Sequence, residues 1–384
     1  MARLRVEQGF TAVQLVVGIP PEVGPENINA SSCVGAAWSL NGRFNKKYLD
    51  FAQDRIKFLN SIGLMVIIYG AWGQQIKWLG IKRMKSWWNE IIKRTGNLNV
   101  IYCVTGESDL WIGEENNLLP NKSTDDFHIL KIRGFLHPKV LHYAFRILKL
   151  IQRPLLSYQR QSRKHQWTQV LKFISSKTQK PIIIHTTSTN SDTVVETPSL
   201  LSAITVQTGH SENSRQMLWK TPHDVINKNP KAKYINLEPW YEGITDKFGT
   251  EDQLYAYWSS MMSGASAYCY GAHGVWNVGD GVFLAHWGKQ TLDQALKLKT
   301  PKLIGQSHKI FSGYIYEKLQ KTKLDEKDGK LIKITRSNNK TSFVTYYPDC
   351  SKIKSISSGK YYLPLTGKFV IKKPTKGPLV VLSI

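Results

Sequence analysis

Two glutamates stand where short apolar runs end, far apart along the chain. Glu238 closes the run Tyr234-Ile-Asn-Leu and precedes Pro-Trp-Tyr, and Glu107 follows the apolar run that begins at Asn99. Cleavage of a glycosidic bond commonly uses two carboxyl groups, one protonating the leaving oxygen and one acting as nucleophile or activating water. We therefore expect Glu107 to be a general acid/base and Glu238 a nucleophile, if the fold brings them together.

Two further acids lie beside this pair. Glu242 follows Glu238 by four positions and Asp109 follows Glu107 by two. We expect Glu242 to contact substrate or support the nucleophile, and Asp109 is an alternative to Glu107 as the acid. Any one of these acids is also explained by a helix cap or a surface ion pair, so the catalytic interpretation depends on the pairing.

Aromatic and polar side chains cluster near both acids. Sugar rings stack their CH faces on indole and phenol rings, and their hydroxyl groups exchange hydrogen bonds with polar side chains. The segment around Tyr270 contains glycines that permit a tight turn, and Trp287 extends its aromatic wall. For His137 and His185 the sequence favours packing over function. The candidate substrate-binding residues are Trp72, His210, Trp240, Tyr241, Glu242, Tyr270, His273 and Trp276.

Short apolar runs alternate with helical patterns over most of the chain, which is typical of parallel strands covered by crossover helices. One helical stripe runs from Tyr48 to Leu59 and ends at Gly63, a predicted C-cap. Seven strands predict an eight-stranded (β/α) barrel with its active groups at the C-terminal face. Because Ala2 to Gln8 reads as a first helix, we expect either that the missing first strand precedes Met1 or that another segment closes the barrel. The predicted strands are 11–17, 64–69, 99–104, 181–185, 203–207, 234–237 and 265–270.

The pattern changes near residue 309 to short alternating runs separated by Gly, Asn and Pro, which indicates antiparallel β structure. We therefore expect two domains, a (β/α)8-barrel over residues 1–308 and a small β-sandwich over residues 309–384. The predicted strands of the second domain are 330–335, 342–347, 360–363, 368–372 and 379–383.

Composition limits the partners. The formal charge of +24 would attract anionic polymers, but the basic residues are scattered and form no nucleic-acid motif. We expect neither nucleic acid nor membrane as a partner, since no run of about 18 apolar residues occurs. The four cysteines are widely separated and form no metal-type pair, so we expect no metal site. Cleavage by two carboxyl groups needs no metal or organic cofactor. The sequence leaves the oligomeric state open.

Five segments in the same order resemble the apiosidase-like glycoside hydrolases over about residues 1–305. The most specific are Glu238-Pro-Trp-Tyr-Glu242 and Tyr270-Gly-Ala-His-Gly-Val-Trp276, whereas Gly106-Glu107 is less specific. The other two segments begin at Gln8 and Gln207. The opening strand of relatives, with an Asp-Thr-X-Trp motif, has no counterpart in this sequence.

The resemblance implies a retaining-type barrel with its carboxylates on strands four and seven, and a C-terminal β domain described in the family as collagen-binding. It also implies a carbohydrate substrate and a secreted or periplasmic location, although the sequence shows no signal peptide. A barrel without its first strand would expose an edge. The alternative hypothesis is therefore a carbohydrate-binding or decayed barrel protein that has lost turnover.

Overall fold

The structure is a computed structural model. It describes residues 1–110 apart from 22, 26, 28 and 29, residues 138–314 apart from 188, residue 319, and residues 321–383 apart from 339–341. For residues 138–155 only the backbone is described, and the predicted packing residue His137 lies outside the described residues.

The described residues form helices and strands in the following order. The α-helices are α1 (Ala2–Glu7), α2 (Lys46–Ser61), α3 (Gln75–Thr95), α4 (Pro138–Ser175), α5 (Met217–Lys228), α6 (Thr250–Met262), α7 (Leu292–Leu296) and α8 (Thr300–Tyr314). The first strands are β1 (Ala12–Val16), β2 (Ser31–Ser32), β3 (Gly35–Ala36), β4 (Met65–Tyr69), β5 (Val100–Cys103) and β6 (Ile182–Ile183). The next are β7 (Ile204–Gln207), β8 (Tyr234–Glu238), β9 (Tyr241–Glu242), β10 (Ala267–Tyr268) and β11 (Gly271–Ala272). The last are β12 (Lys321–Lys327), β13 (Lys330–Ser337), β14 (Phe343–Tyr347), β15 (Lys360–Leu363), β16 (Lys368–Val370) and β17 (Leu379–Ser383).

The barrel strands are parallel and follow the order of the chain. One sheet has the order β1-β4-β5-β6 and the next has the order β7-β8-β10. Backbone hydrogen bonds join the two sheets, from Ser202 N to Ile182 O at 2.8 Å and from Gln207 N to Thr187 O at 3.1 Å. All seven predicted strands are present, so the predicted barrel architecture is confirmed.

Burial on both faces explains why these strands read as continuous apolar runs. In β4, Val66 and Ile68 pack against the surrounding helices, whereas Ile67 and Tyr69 point into the barrel. The alternation follows from the two-residue period of a strand. The predicted stripe on α2 packs on the same layer, and Gly63 leaves the helix with φ at +91°, as a glycine after a helix end commonly does.

Within the described residues, no strand pairs with the outer edge of β1 or of β10. Side chains connect the two flanks of this opening. Gln14 on β1 donates to the carbonyl oxygen of Leu237 on β8 at 2.9 Å, and the ring of Phe10 lies 6.1 Å from that of Tyr270. The helix α1 precedes β1 as predicted, and Gly9 at its end rests on Gly305 of α8.

The C-terminal strands form one antiparallel sheet of order β12-β13-β14-β17-β15-β16. The sequence predicted a sandwich, but β17 pairs with both β14 and β15 and joins the two halves by hydrogen bonds. This sheet shares a core with the barrel, because Trp258 of α6 stacks on Tyr346 with centroids 6.0 Å apart. The predicted domain boundary between residues 308 and 309 falls inside helix α8. The division into two domains at this point stays a prediction. No helix among the described residues is both long and apolar enough to span a bilayer.

We expect Gly305→Ala to destabilise the fold, because a Cβ at this position would collide with the carbonyl oxygen of Gln8. The expected cost is about 1–3 kcal/mol of unfolding free energy, measured by denaturant titration. Gly313→Ala is the matched control on the same helix, since a Cβ there meets nothing within 4 Å. It should be neutral or stabilising by up to about 1 kcal/mol. Equal stabilities of the two variants would contradict the contact between α1 and α8.

Candidate active site

Glu107 and Glu238 both lie at the C-terminal face of the barrel. Glu238 is the last residue of β8, and Glu107 is the fourth residue beyond the end of β5. A bridge between Trp72 and Gly106 continues the parallel pairing of β4 and β5 up to this point. Counted with a first strand, β5 and β8 are the fourth and seventh barrel strands, whose ends open onto one face.

A tight turn presents Glu107 to the barrel mouth. Its φ of +36° lies in the left-handed region, which a non-glycine residue seldom adopts. The neighbouring backbone approaches closely, since a Cβ on Gly73 would collide with Glu107 O and one on Gly106 with the Trp72 ring. Hydrogen bonds from Ser108 N to His185 O at 2.9 Å and from Leu110 N to Glu107 O at 2.8 Å hold the turn. This crowding fixes where the carboxyl group points.

The environment of Glu107 favours its protonated form. Trp72 Nε1 donates to Glu107 Oε2 at 2.8 Å, and the Gln207 side chain also hydrogen-bonds the carboxyl group. Burial and then the charge of Glu238 outweigh these two donors and raise the pKa of Glu107 to about 7. Burial has this effect because it disfavours the charged form of an acid. Glu107 can therefore hold its proton near neutral pH.

The environment of Glu238 favours its ionised form. His210 Nδ1 accepts a hydrogen bond from Tyr241 N at 3.3 Å, so the ring proton is on Nε2, which donates to Glu238 Oε1 at 2.9 Å. Burial alone would raise the pKa of Glu238. The hydrogen bonds that the His210 ring and the Tyr241 hydroxyl donate outweigh this effect and hold the pKa of Glu238 below its ordinary value.

The two carboxyl groups face one site. The charge of Glu238 acts on the pKa of Glu107, and the charges of both acids raise the pKa of the Tyr241 hydroxyl after the larger effect of its burial. The imidazole of His185 touches both residues, with Nδ1 3.2 Å from Glu107 N and Nε2 3.7 Å from Glu238 Oε2. Within the part of the chain that the structure describes, no packed apolar layer therefore separates the two acids, and their pKa values are shifted in opposite directions.

Several predicted substrate contacts lie around this pair. Trp72 contacts Glu107, while His210 and Tyr241 contact Glu238, with their own rings 4.6 Å apart. Trp276 is partly buried beside Tyr241, with centroids 6.4 Å apart. The collision that a Cβ on Gly271 would make with the Tyr241 ring explains a glycine there. These four predicted residues share the site with the two acids.

Glu242 does not face the site, which corrects its prediction as a substrate contact. It is 4% exposed, and its oxygens accept hydrogen bonds from Tyr270 Oη at 2.6 Å and Thr300 Oγ1 at 2.7 Å. Burial raises the pKa of Glu242, although these hydrogen bonds act to lower it. Glu242 therefore ties the loop after β8 to Tyr270 and to the start of α8, and the Tyr270 hydroxyl is used in the same contact.

Trp240 and His273 also differ from their predictions as substrate contacts. The Trp240 indole is 0% exposed, stacks on Phe248 with centroids 4.7 Å apart, and donates from Nε1 to Ser211 O. His273 is 1% exposed, and burial lowers its pKa. Neither ring has an open face for a sugar, because the loops after β8 and β10 fold these side chains inward.

Asp109 is not available as a replacement acid. Its Oδ1 accepts from Thr187 N at 2.8 Å and its Oδ2 from Thr187 Oγ1 at 2.7 Å, so it fastens the turn after β5 to the segment after β6. Gln207 and His185 also contact the acids and were not among the predicted site residues. Gln207 ends a strand within a motif that pointed to the site, whereas His185 carried no signal beyond its place after a strand.

The comparisons with known proteins give a family and a fold. The family described as "Apiosidase-like, catalytic domain" matches residues 1–317. Among solved structures, one described as "Glycoside hydrolase" has a TM-score of 0.70 at 14% identity, covering 99% of this chain and 87% of that one. A glycoside hydrolase family 5 protein from Bacteroides vulgatus has a TM-score of 0.69 at 15% identity, covering 99% and 84%. A search of curated proteins finds no match.

We expect Trp72→Phe to raise the pKa of Glu107 further, because the lost indole N–H stabilises the ionised carboxyl group. The measurement is the carboxyl titration followed by NMR in protein labelled with 13C at the glutamate carboxyl carbon. Trp78→Phe is the matched control, since Trp78 packs against Trp38 away from both acids. An unchanged or lowered Glu107 pKa in Trp72→Phe would contradict the role given to this hydrogen bond.

Proposed function

Because the chain belongs to the apiosidase-like family of glycoside hydrolases, we propose that it cleaves O-glycosidic bonds in polysaccharide side chains with Glu107 as general acid/base and Glu238 as nucleophile. The observation that carries the proposal is the opposite setting of the two acids. Glu107 keeps a proton near neutrality, while Glu238 is held ionised by the donors around it. A pair of titratable groups pushed apart in this way is typical of an acid and base that work together.

In the proposed first step, the carboxylate of Glu238 attacks the anomeric carbon while Glu107 gives its proton to the leaving oxygen. The bond between sugar and leaving group breaks and a glycosyl ester of Glu238 forms. In the second step, Glu107 removes a proton from water, which attacks the anomeric carbon and restores the Glu238 carboxylate. Each acid ends the cycle in its starting protonation state, and the sugar keeps its anomeric configuration.

The surroundings of each acid support its proposed role. The donors around Glu238 disperse its negative charge, and they also limit its protonation. The Trp72 indole N–H that reaches Glu107 can stabilise the carboxylate that remains after proton transfer. Trp72, Tyr241 and Trp276 offer aromatic surface beside the acids, which suits the CH faces of a carbohydrate.

We expect Glu238→Gln to lose turnover with every glycoside, because a neutral amide cannot act as the nucleophile. Glu107→Gln should lose about 10²–10⁴-fold with poor leaving groups and much less with activated aryl groups, which depart without a proton. Rates on a panel of aryl glycosides test both, and Glu326→Gln on the exposed part of β12 is the control.

A slow fluorosugar substrate should label the peptide that contains Glu238, as read by mass spectrometry. Product anomers followed by proton NMR should retain configuration. An adduct elsewhere, an inverted product, or full activity in Glu238→Gln would contradict the assignment. Sugar binding by the unaltered protein without any turnover would support the non-catalytic alternative.

The pH dependence of kcat/KM should be bell-shaped. Activity requires Glu238 ionised and Glu107 protonated, so it falls as pH drops through the Glu238 pKa, below the ordinary value of 4.5. It falls again as pH rises through the Glu107 pKa of about 7. Initial rates across this range in constant ionic strength test the profile. A basic limb that persists in Glu107→Gln would show that another group is responsible.

A further inference from the structure

The two roles proposed above leave His185 unused, although it lies between the two acids. It follows β6 at the barrel mouth and is 1% exposed. The rings of Tyr69 and Trp72 form T-shaped contacts with the imidazole, with centroids at 5.7 Å and 6.2 Å. A buried imidazole that contacts both acids indicates a more specific role than the packing that the sequence predicted.

One ring nitrogen of His185 is held by the main chain of Glu107. Nδ1 accepts a hydrogen bond from Glu107 N at 3.2 Å. The His185 backbone binds the same turn, because its N–H donates to Thr105 O at 3.1 Å and its carbonyl oxygen accepts from Ser108 N at 2.9 Å. Three hydrogen bonds from one residue therefore surround the left-handed conformation of Glu107.

The other ring nitrogen points to Glu238. Since Nδ1 accepts a hydrogen bond, the proton of the neutral ring is on Nε2. Nε2 lies 3.7 Å from Glu238 Oε2 and has no hydrogen-bond partner among the described residues. Buried donors are nearly always paired, and catalytic hydrogen bonds commonly shorten when substrate binds. His210 already donates to Oε1 of the same carboxylate, so each imidazole lies against a different oxygen of Glu238.

We propose that His185 is a positioning residue for both acids, holding the Glu107 turn through Nδ1 and directing an N–H donor at Glu238 Oε2 through Nε2. This inference rests on the proposed function for its catalytic consequence, but its geometry can be tested without activity. The ring works as a neutral group, because a proton on Nδ1 would oppose the Glu107 N–H.

The charges around His185 agree with a neutral ring. The carboxylates of Glu238 and Asp109 favour its protonation, whereas burial opposes it more strongly and lowers the pKa of His185. Among the described residues, the uncharged rings of Tyr69 and Trp72 contact the imidazole, and burial keeps the nearby Cys103 thiol protonated by raising its pKa. Glu107 also lies beside the ring, and its pKa of about 7 leaves it protonated on the acid side of neutrality.

Two substitutions separate the two contacts. In His185→Asn the amide oxygen can take the place of Nδ1 and keep the Glu107 contact, but the Nε2 donor is lost. In His185→Gln the amide nitrogen can take the place of Nε2 and keep the donor toward Glu238, but the acceptor for Glu107 N–H is lost. His308→Gln is the matched control, because His308 on α8 contacts Tyr257 and neither acid.

The kinetic experiment compares pH profiles and leaving groups for the three variants. His185→Asn should move the acid limb of kcat/KM upward by about one pH unit, because the ionised Glu238 loses a donor, with equal losses for good and poor leaving groups. His185→Gln should keep the acid limb and lose about 10–100-fold more kcat with poor leaving groups, because Glu107 is displaced. Identical profiles for the two variants would overturn the proposal.

NMR gives the readout that needs no substrate. In protein with 15N-labelled histidine, His185 should show one protonated and one unprotonated ring nitrogen at and above neutral pH, because burial lowers its pKa. In 13C-glutamate protein, the Glu238 carboxyl titration should move upward in His185→Asn and stay in place in His185→Gln and in the control. A His185 ring that charges near neutrality, or a Glu238 titration unmoved in His185→Asn, would overturn the proposal. Inactivity of the unaltered protein would count against the proposed function alone. If a variant fails to fold, the protonation state of the His185 ring in the unaltered protein still tests the proposal.

Discussion

Two carboxyl groups buried in one barrel mouth cannot both ionise easily, and the local structure resolves this constraint. Like charges in a poorly solvated site raise each other's pKa, so one acid must be favoured as the anion. Here the donors on Glu238 outweigh its burial, whereas burial and the charge of Glu238 outweigh the donors on Glu107. The asymmetry does not come from the residue type, since both are glutamates. It comes from which loops surround each strand end.

The barrel makes this asymmetry possible by collecting several strand ends at one face. Glu107 follows β5, His185 follows β6, Gln207 ends β7 and Glu238 ends β8. Each side chain comes from a neighbouring parallel strand, so small shifts in the pairing register would change every contact together. Glycines at the close approaches, such as Gly106 under the Trp72 ring, leave the space that these contacts need. Stability of the barrel and precision of the site are therefore coupled.

Much of the fold could be predicted from the sequence because burial leaves a periodic record. The seven barrel strands and the helix of Tyr48 to Leu59 follow from this record, and so does the pairing of two acids at strand ends. Side-chain directions in the loops leave no such record. Trp240 and Glu242 follow Glu238 closely, yet the turn after β8 places both in the interior. The role proposed for His185 could not be predicted either, because it depends on a hydrogen bond from the backbone N–H of Glu107, which is far away in sequence.

The sequence could not predict that β17 pairs with both β14 and β15 in one sheet. An alternating pattern indicates a strand but not the strands with which it pairs. Trp72 was predicted only as a sugar contact, and its indole N–H also reaches the proposed acid. Aromatic residues near acids therefore indicate where a site is more reliably than what each ring does there.

The stack of Trp258 on Tyr346 makes the C-terminal sheet an outer wall of the barrel. Trp258 also donates to Ser307, and Ser307 reaches the Tyr362 hydroxyl, so one indole connects α6, α8 and two strands of the sheet. Without the C-terminal sheet, the barrel would expose the face of this indole to solvent as an apolar surface. Gene fusions or exchanges that replace the C-terminal part would have to supply a new cover for it, so the two parts are expected to be inherited together.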